Sequence, residues 1–370
     1  MIPVCEPVHD GRDEEYVLDC LRSNWIATGN YVGAFEKAFS KFCNAHHGIA
    51  CSNGTTAIHL ALAALGIGHG DEVIIPSFTL IASANMVILA GARPVLADVQ
   101  KDTCCIDPED VERLITPRTK AIMVVHMFGH PCDMDALMAI ADKHGLAVIE
   151  DGAQAHGAEY KGRRVGAIGH IGCFSFYGNK IATSGEGGMV VTNDAHLAKM
   201  SALLRNQAFE QPRFVHNHVG FNYRLTNIQA AIGLAQCEKL DEKVQRKRDQ
   251  AALYTDLLSG VEDLILPVEL SWAKNVYWMY GVVLGDSIKA KRDEVIARLT
   301  ARGVDTRLFF CPMNLQPVYR NGVDPRFPDT ARPCPNSEWL WDRGFYLPSG
   351  LSLTAEQQYQ VVKALIESIR

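Results

Sequence analysis

Lys180 stands in a stretch of small and polar residues, Gly178-Asn179-Lys180-Ile181-Ala182-Thr183-Ser184-Gly185-Glu186-Gly187, enclosed by two β-prone runs at 173–177 and 189–192. Such a stretch reads as a loop carrying function between strands. An amine set between an apolar strand and small residues loses water, which lowers its pKa and makes it a nucleophile toward a carbonyl, the requirement for a Schiff base. A second reactive type is Asp151, just past the apolar run 146–150, with Gln154 following in Asp151-Gly152-Ala153-Gln154. An acid at a strand end can hold a cation or a protonated ring nitrogen, and Gln154 can hydrogen-bond the same ligand. A third is Ser52-Asn53-Gly54-Thr55-Thr56, ahead of a helix expected at 57–65. Its free N–H groups and the positive end of the helix dipole suit a phosphate, to which Ser175 adds a hydroxyl. Each also has a plainer reading: a solvated surface lysine, an aspartate capping a turn, an ordinary N-cap.

These residues need a frame, and the pattern supplies one. Strands are expected at 48–51, 72–76, 93–98, 121–126 and 146–150, alternating with helices at 57–65, 80–90, 108–115 and 133–144. The strands are near-continuous apolar runs such as Ala121-Ile122-Met123-Val124-Val125, as when helices cover both faces of a sheet. The fold class is therefore α/β with a mostly parallel sheet, whose ligands bind beyond the carboxyl ends of the strands. Upstream, helices are expected at 13–21 and 33–43. Downstream, one long helix over 227–258 is expected to link a large domain (1–240) to a smaller α+β domain (241–370). The latter is read as a strand at 276–284, a helix at 292–302, a strand at 305–310 and helices at 338–345 and 354–369. The aromatics Tyr277, Trp278 and Tyr280 read as packing, and Phe309-Phe310-Cys311-Pro312 as a return toward the cleft between domains.

Other chemistries are set aside. Gly66-Ile67-Gly68-His69-Gly70 follows a helix and precedes a strand, the reverse of a dinucleotide-binding loop. His126 and His130 have the spacing of two metal ligands, but Gly129 and Pro131 interrupt any helix there, so no metal is expected. With 48% hydrophobic and 21% charged residues the chain is an ordinary globular protein, and a net charge of −6 makes nucleic acid an unexpected partner. Eleven cysteines are scattered without a C-x-x-C, which fits reduced thiols. No signal-like or bilayer-length apolar run is seen, so a cytoplasmic protein without membrane contact is expected.

Four motifs occur in order: Asn53-Gly54-Thr55-Thr56-Ala57; Ile149-Glu150-Asp151; residues 174–180 with Gly185-Glu186-Gly187-Gly188; and Gly220-Phe221-Asn222-Tyr223-Arg224. Together they resemble the sugar-nucleotide aminotransferases of the DegT/DnrJ/EryC1/StrS family, and the resemblance runs from Ile2 to the C-terminal helix. It implies the fold of aspartate aminotransferase (the type I fold of pyridoxal 5'-phosphate enzymes), with pyridoxal 5'-phosphate as cofactor. It carries Lys180 over as the Schiff-base lysine, Asp151 as partner of the pyridine nitrogen and Gln154 as a contact to the phenolic oxygen. Gly54, Thr55, Thr56 and Ser175 become phosphate contacts, and Asn222 a phosphate ligand reaching in from the other subunit of a homodimer with shared active sites.

Stretches such as Trp25-Ile26 and Tyr277-Trp278-Met279-Tyr280 imply a GDP-linked 4-keto-6-deoxy-mannose as substrate and glutamate as amino donor. Three departures mark the chain. Leu80 replaces a ring over the pyridine, giving up a stacking contribution of about 0.5–1.5 kcal/mol. Gln154 stands in place of Glu, and Cys311 in place of His. The alternatives are a UDP- or dTDP-linked keto sugar, or a cofactor-binding regulatory protein without turnover; the family's dehydratases carry His in place of Lys180.

Overall fold

A computed structural model describes residues 1–370. Two helices, α1 (Asp13–Ser23) and α2 (Asn30–Phe42), precede the first strand, β1 (His47–Cys51). The chain then alternates through α3 (Gly54–Ala64), β2 (Glu72–Pro76), α4 (Ala82–Leu89), β3 (Arg93–Ala97), α5 (Pro108–Leu114), β4 (Thr119–Val125), α6 (Met134–His144) and β5 (Ala147–Asp151). Two short strands, β6 (Glu159–Tyr160) and β7 (Arg163–Arg164), lead to β8 (Ile171–Ser175) and β9 (Gly188–Thr192), and α7 (Ala195–Leu204) follows.

Seven of these strands form one sheet in the order β1-β9-β8-β5-β4-β2-β3. The pairings from β8 to β3 are parallel, and β9 runs against both of its neighbours. The apolar runs are explained by two cores, one on each face. Along β4, Ile122 and Val124 enter the core shared with Phe35, Phe39 and Phe174, while Ala121 and Met123 enter the one shared with α3 and α4. Successive side chains of a strand point to opposite faces, so a strand buried on both sides has no polar positions. Helix ends follow local chemistry: Asp133 caps α6 through the Ala136 N–H at 3.2 Å, and Gly145 ends it in the left-handed conformation at φ 66°.

The expected long helix is two: α8 (Asn227–Glu238) and α9 (Leu240–Leu258). At Lys239 the backbone leaves helical geometry (φ −105°, ψ 7°), and neither Gly nor Pro marks the break. The rest of the chain builds a four-stranded antiparallel sheet from β10 (Leu264–Ile265), β12 (Tyr280–Leu284), β13 (Arg307–Leu308) and β14 (Gly344–Leu347), in the order β10-β12-β14-β13. The strand β11 (Ala273–Lys274) pairs instead with β6. Helices Arg292–Ala301 and Ala355–Ile369, together with α9, supply apolar residues to the core on this second sheet.

Two expectations fail here. The strand expected from Val276 begins only at Tyr280, because Tyr277 adopts φ 46°; a bulky side chain in that region costs on the order of 1–3 kcal/mol and cannot continue a ladder. The helix expected at 338–345 is Pro335–Arg343, and the residues after it pair as β14.

One buried charge holds the sheet's central turn. The Glu150 carboxylate accepts from His126 Nε2 at 3.0 Å and from the N–H groups of Gly166 (2.7 Å), Ile168 (2.8 Å) and Gly169 (2.6 Å). The Cys132 N–H donates to His126 Nδ1 at 3.1 Å, so the ring proton resides on Nε2. Burial alone would raise the Glu150 pKa, but the His126 hydrogen bond and the N–H donors hold it below the ordinary range. A depressed folded-state pKa means this stabilisation is present above about pH 4.3, the unfolded value, and is lost as pH falls through the folded one. Glu150→Ala leaves those donors unpaired and is expected to cost about 3–5 kcal/mol, read from the urea midpoint.

Candidate active site

The carboxyl edge of the sheet gathers the loops after β1 (52–53), β2 (77–81), β4 (126–133), β5 (152–158) and β8 (176–187). The order β8-β5-β4-β2 and the parallel pairing place these loop starts side by side. Lys180, Asp151, Gln154, Ser175 and Leu80, with the start of α3, therefore share one edge.

Lys180 is half-buried, and its Nζ lies 3.9 Å from the centre of the Trp278 ring. Burial lowers its pKa to about 8, while the charges of Asp151 and Cys5 oppose the shift. Burial thus favours the neutral amine, the form that attacks a carbonyl. Another amine, that of Lys247, is 3% exposed, donates to the Ser349 carbonyl and is likewise lowered to about 8 by burial.

Asp151 is 7% exposed. Its Oδ1 accepts from the Ala153 N–H at 3.1 Å and its Oδ2 faces Ser83 Oγ at 3.4 Å. Burial raises its pKa above the ordinary carboxylate value, opposed by the Ala153 hydrogen bond and the Lys180 charge. A cation at this carboxylate would relieve that penalty. Gln154, also buried, accepts the Phe128 N–H on Oε1 at 2.8 Å, which leaves its amide nitrogen as a donor.

The start of α3 lies directly on Ser175. A Cβ added to Gly54 would sit 2.6 Å from Ser175 Cβ, inside any real contact, so only glycine lets the helix end approach the serine. Within this cradle Thr56 is committed to the cap. Its N–H donates to Asn53 Oδ1 at 2.9 Å, and its hydroxyl accepts the Asn53 N–H at 3.1 Å. The groups left for an anion are the first N–H groups of the helix, the Thr55 side chain and the Ser175 hydroxyl.

The remaining expected residues are less buried. Leu80 is 48% exposed on the loop before α4, and Asn222 is exposed and bridges to Asn206. Cys311 is half-buried, on a segment that closes over the sheet edge: the Met313 N–H donates to the Ser77 carbonyl at 2.8 Å, and the Phe309 and Phe128 rings meet at 4.8 Å. Residues 309–313 thus pack onto the loops at the sheet edge.

Residues to which the sequence reading gave no role in this site also meet here. Ser83 faces Asp151, Trp278 faces Lys180, and His126 lies behind the Asp151 turn. His126 is recoverable from the strand-end rule, since it directly follows the neighbouring strand β4, but its spacing to His130 directs attention to a metal instead. Ser83 and Trp278 carry no such signal. The buried polar atoms without a hydrogen-bond partner are Thr79 Oγ1, both ring nitrogens of His156, Asn179 Oδ1, Ser201 Oγ, Gln250 Oε1 and Thr306 Oγ1. The first three of these residues lie on the same loops, a site rich in unused polar groups.

A family model matches residues 7–366, that of the DegT/DnrJ/EryC1/StrS aminotransferase family. The chain belongs to this family. Among curated relatives, the GDP-perosamine synthase of Caulobacter vibrioides is 48% identical over 86% of each chain. The GDP-perosamine synthase of Vibrio cholerae is 39% identical over 99% of this chain and 98% of its own. Among solved structures, S. venezuelae DesV in complex with a ketimine intermediate superposes with a TM-score of 0.90 at 37% identity, covering 97% of this chain and 94% of that one. Membership of the DegT/DnrJ/EryC1/StrS family makes the chain an aminotransferase with the α/β fold read from its sequence.

Proposed function

We propose that this DegT/DnrJ/EryC1/StrS protein is a pyridoxal 5'-phosphate-dependent enzyme that moves the amino group of glutamate to C4 of GDP-4-keto-6-deoxymannose, giving GDP-perosamine. The observation that supports the substrate best is the 48% identity to a GDP-perosamine synthase. The residues at the sheet edge fit the cofactor. Lys180 Nζ would hold its aldehyde carbon, Asp151 its ring nitrogen and the Gln154 amide its phenolic oxygen, with Leu80 against the ring. Gly54, Thr55 and Ser175 would seat its phosphate, Thr56 would fix the cap that presents them, and Asn222 would reach into the site of a second copy.

When bound, pyridoxal 5'-phosphate supplies an electron sink that acidifies the donor's Cα–H. The protein's part is proton transfer and electrostatics. Lys180 Nζ, lowered to about 8 by burial, takes the proton from the Cα of glutamate in one half-reaction and moves a proton at C4 of the sugar in the other. Asp151 keeps the ring nitrogen protonated throughout. Gly54→Ala is expected to raise the cofactor's dissociation constant about 10-fold, or about 1.4 kcal/mol, read by an absorbance titration, because its Cβ forces α3 and Ser175 apart.

The same proposal includes a boundary near residue 240, a cytoplasmic location and a homodimer. No helix is long and apolar enough to cross a membrane. The exposed side chains of Trp25, Leu80, Tyr177, Phe214 and Val219 give a second copy apolar surface to cover. The substrate is tested by supplying glutamate with GDP-, UDP- and dTDP-linked 4-keto-6-deoxy sugars and measuring 2-oxoglutarate. Release with the GDP-linked sugar is expected. Release only with another nucleotide would overturn the sugar assignment, and none at all would favour a regulatory role, a reading that draws on a 40% identical pleiotropic regulatory protein of Geobacillus stearothermophilus.

A further inference from the structure

The stretch between β11 and β12 is held in an unusual conformation next to the reactive amine. Tyr277 is left-handed at φ 46°, its N–H donating to Asn275 Oδ1 at 2.8 Å. The Asn275 carbonyl accepts from Arg248 at 2.6 Å. The Val276 N–H donates to the Gly129 carbonyl at 3.2 Å, which ties the stretch to the loop after β4. That approach requires glycine: a Cβ on Gly129, itself at φ 102°, would stand 2.7 Å from Val276 Cγ2 and 3.0 Å from the Tyr277 nitrogen. The next residue, Trp278, is 4% exposed, and its indole Nε1–H donates to the Asn179 carbonyl at 2.8 Å, one residue before Lys180. Its ring face meets Lys180 Nζ at 3.9 Å.

We propose that Trp278 is a positioning residue, a resting place where the free Lys180 amine is held by the ring face between the steps in which it is released and used. The inference rests on Lys180 being the reacting amine. An ammonium over an indole is attracted by the ring quadrupole, most strongly where water is excluded. The amine that has just left its covalent partner would otherwise sample many rotamers; docked on Trp278 it stays within reach of the reacting carbon. The indole N–H fixes the main chain at Asn179, so one side chain sets both the backbone and the amine of the lysine. The charged or titratable groups that act on Lys180 are Asp151, Cys5 and His156, and none of them makes a hydrogen bond to its Nζ.

The test uses the full chain freed of cofactor, its lysines dimethylated reductively with 13C-formaldehyde, and the Lys180 methyl signal identified by its loss in Lys180→Arg. The expected result is a methyl proton resonance displaced upfield by the indole ring current, kept in Trp278→Phe and returned to the ordinary dimethyl-lysine position in Trp278→Leu. In the holoenzyme Trp278→Leu is expected to lose about 10-fold in kcat with the KM for glutamate little changed, and Trp278→Phe to recover most of that loss. An ordinary resonance in the wild type would overturn the proposal, and so would a displaced one in Trp278→Leu. If Trp278→Leu fails to accumulate, the wild-type and Trp278→Phe spectra decide alone. A normal resonance together with an inactive Lys180→Ala would sink this inference only, whereas an active Lys180→Ala would sink the reading beneath it.

Discussion

Lys180→Ala is expected to lower kcat for transamination by about 10²- to 10⁴-fold, the range contributed by a positioned proton-transfer group, while cofactor affinity falls far less. Its amine and the Asp151 carboxylate act on each other's charge, and no other lysine lies on the β8–β9 loop. The Gly54–Ser175 cradle and Gln154 stay in place without it, so the variant should still bind pyridoxal 5'-phosphate, without the covalent linkage. Single-turnover assays with glutamate would show this as a slow release of 2-oxoglutarate. An exogenous small amine such as methylamine should restore part of the rate, because the missing element is a base and the pocket left by the side chain admits one. Full activity in this variant would mean that the reacting amine is elsewhere.

Asp151→Asn is expected to lower kcat by about 10²- to 10³-fold, comparable to removing one preorganised electrostatic contact from an active site. The substitution keeps the side chain's size and one oxygen to accept from the Ala153 N–H, so the fold should hold; a urea midpoint near that of the wild type would confirm that the loss is electrostatic. Burial disfavours the charged carboxylate, and a nearby cation offsets that penalty. On the proposed assignment the exchange would be mutual: a protonated ring nitrogen would stabilise Asp151, and Asp151 would raise that nitrogen's pKa. With Asn the ring nitrogen should titrate at ordinary pH, visible as a pH-dependent absorbance absent from the wild type. Equal rates in the two proteins would remove Asp151 from the reaction.

Much of the fold was legible because strands buried on both faces leave a continuous apolar mark. No alternation of polar and apolar positions was needed to find them: Ile122 and Met123 go to different cores, yet both are apolar. Caps such as Asp133 and Gly145 were legible because their chemistry is local. The break at Lys239 was not, since it follows from how α8 and α9 pack rather than from Gly or Pro, and neither was the left-handed Tyr277, which the fold imposes on a residue that disfavours it. Within the site, acids and amines at strand ends could be picked out from the strand-end rule. Trp278 could not. In the run Tyr277-Trp278-Met279-Tyr280 an aromatic that packs and an aromatic that faces an amine look alike, and only the turn at Tyr277 separates them. Thr56 likewise matched the phosphate pattern, while the hydrogen bonds it makes belong to the helix cap.

Two lysines, Lys180 and Lys247, are both lowered to about 8 by desolvation, so amine reactivity alone does not choose between them. Position does: Lys180 sits on the sheet edge with Asp151, whereas Lys247 lies on α9 and spends its amine on the Ser349 carbonyl. Reducing the holoenzyme with borohydride, digesting it and locating the cofactor adduct by mass spectrometry reads that choice directly. The adduct is expected on the peptide that carries Lys180; an adduct on Lys247 or any other lysine, or none at all, would contradict the account.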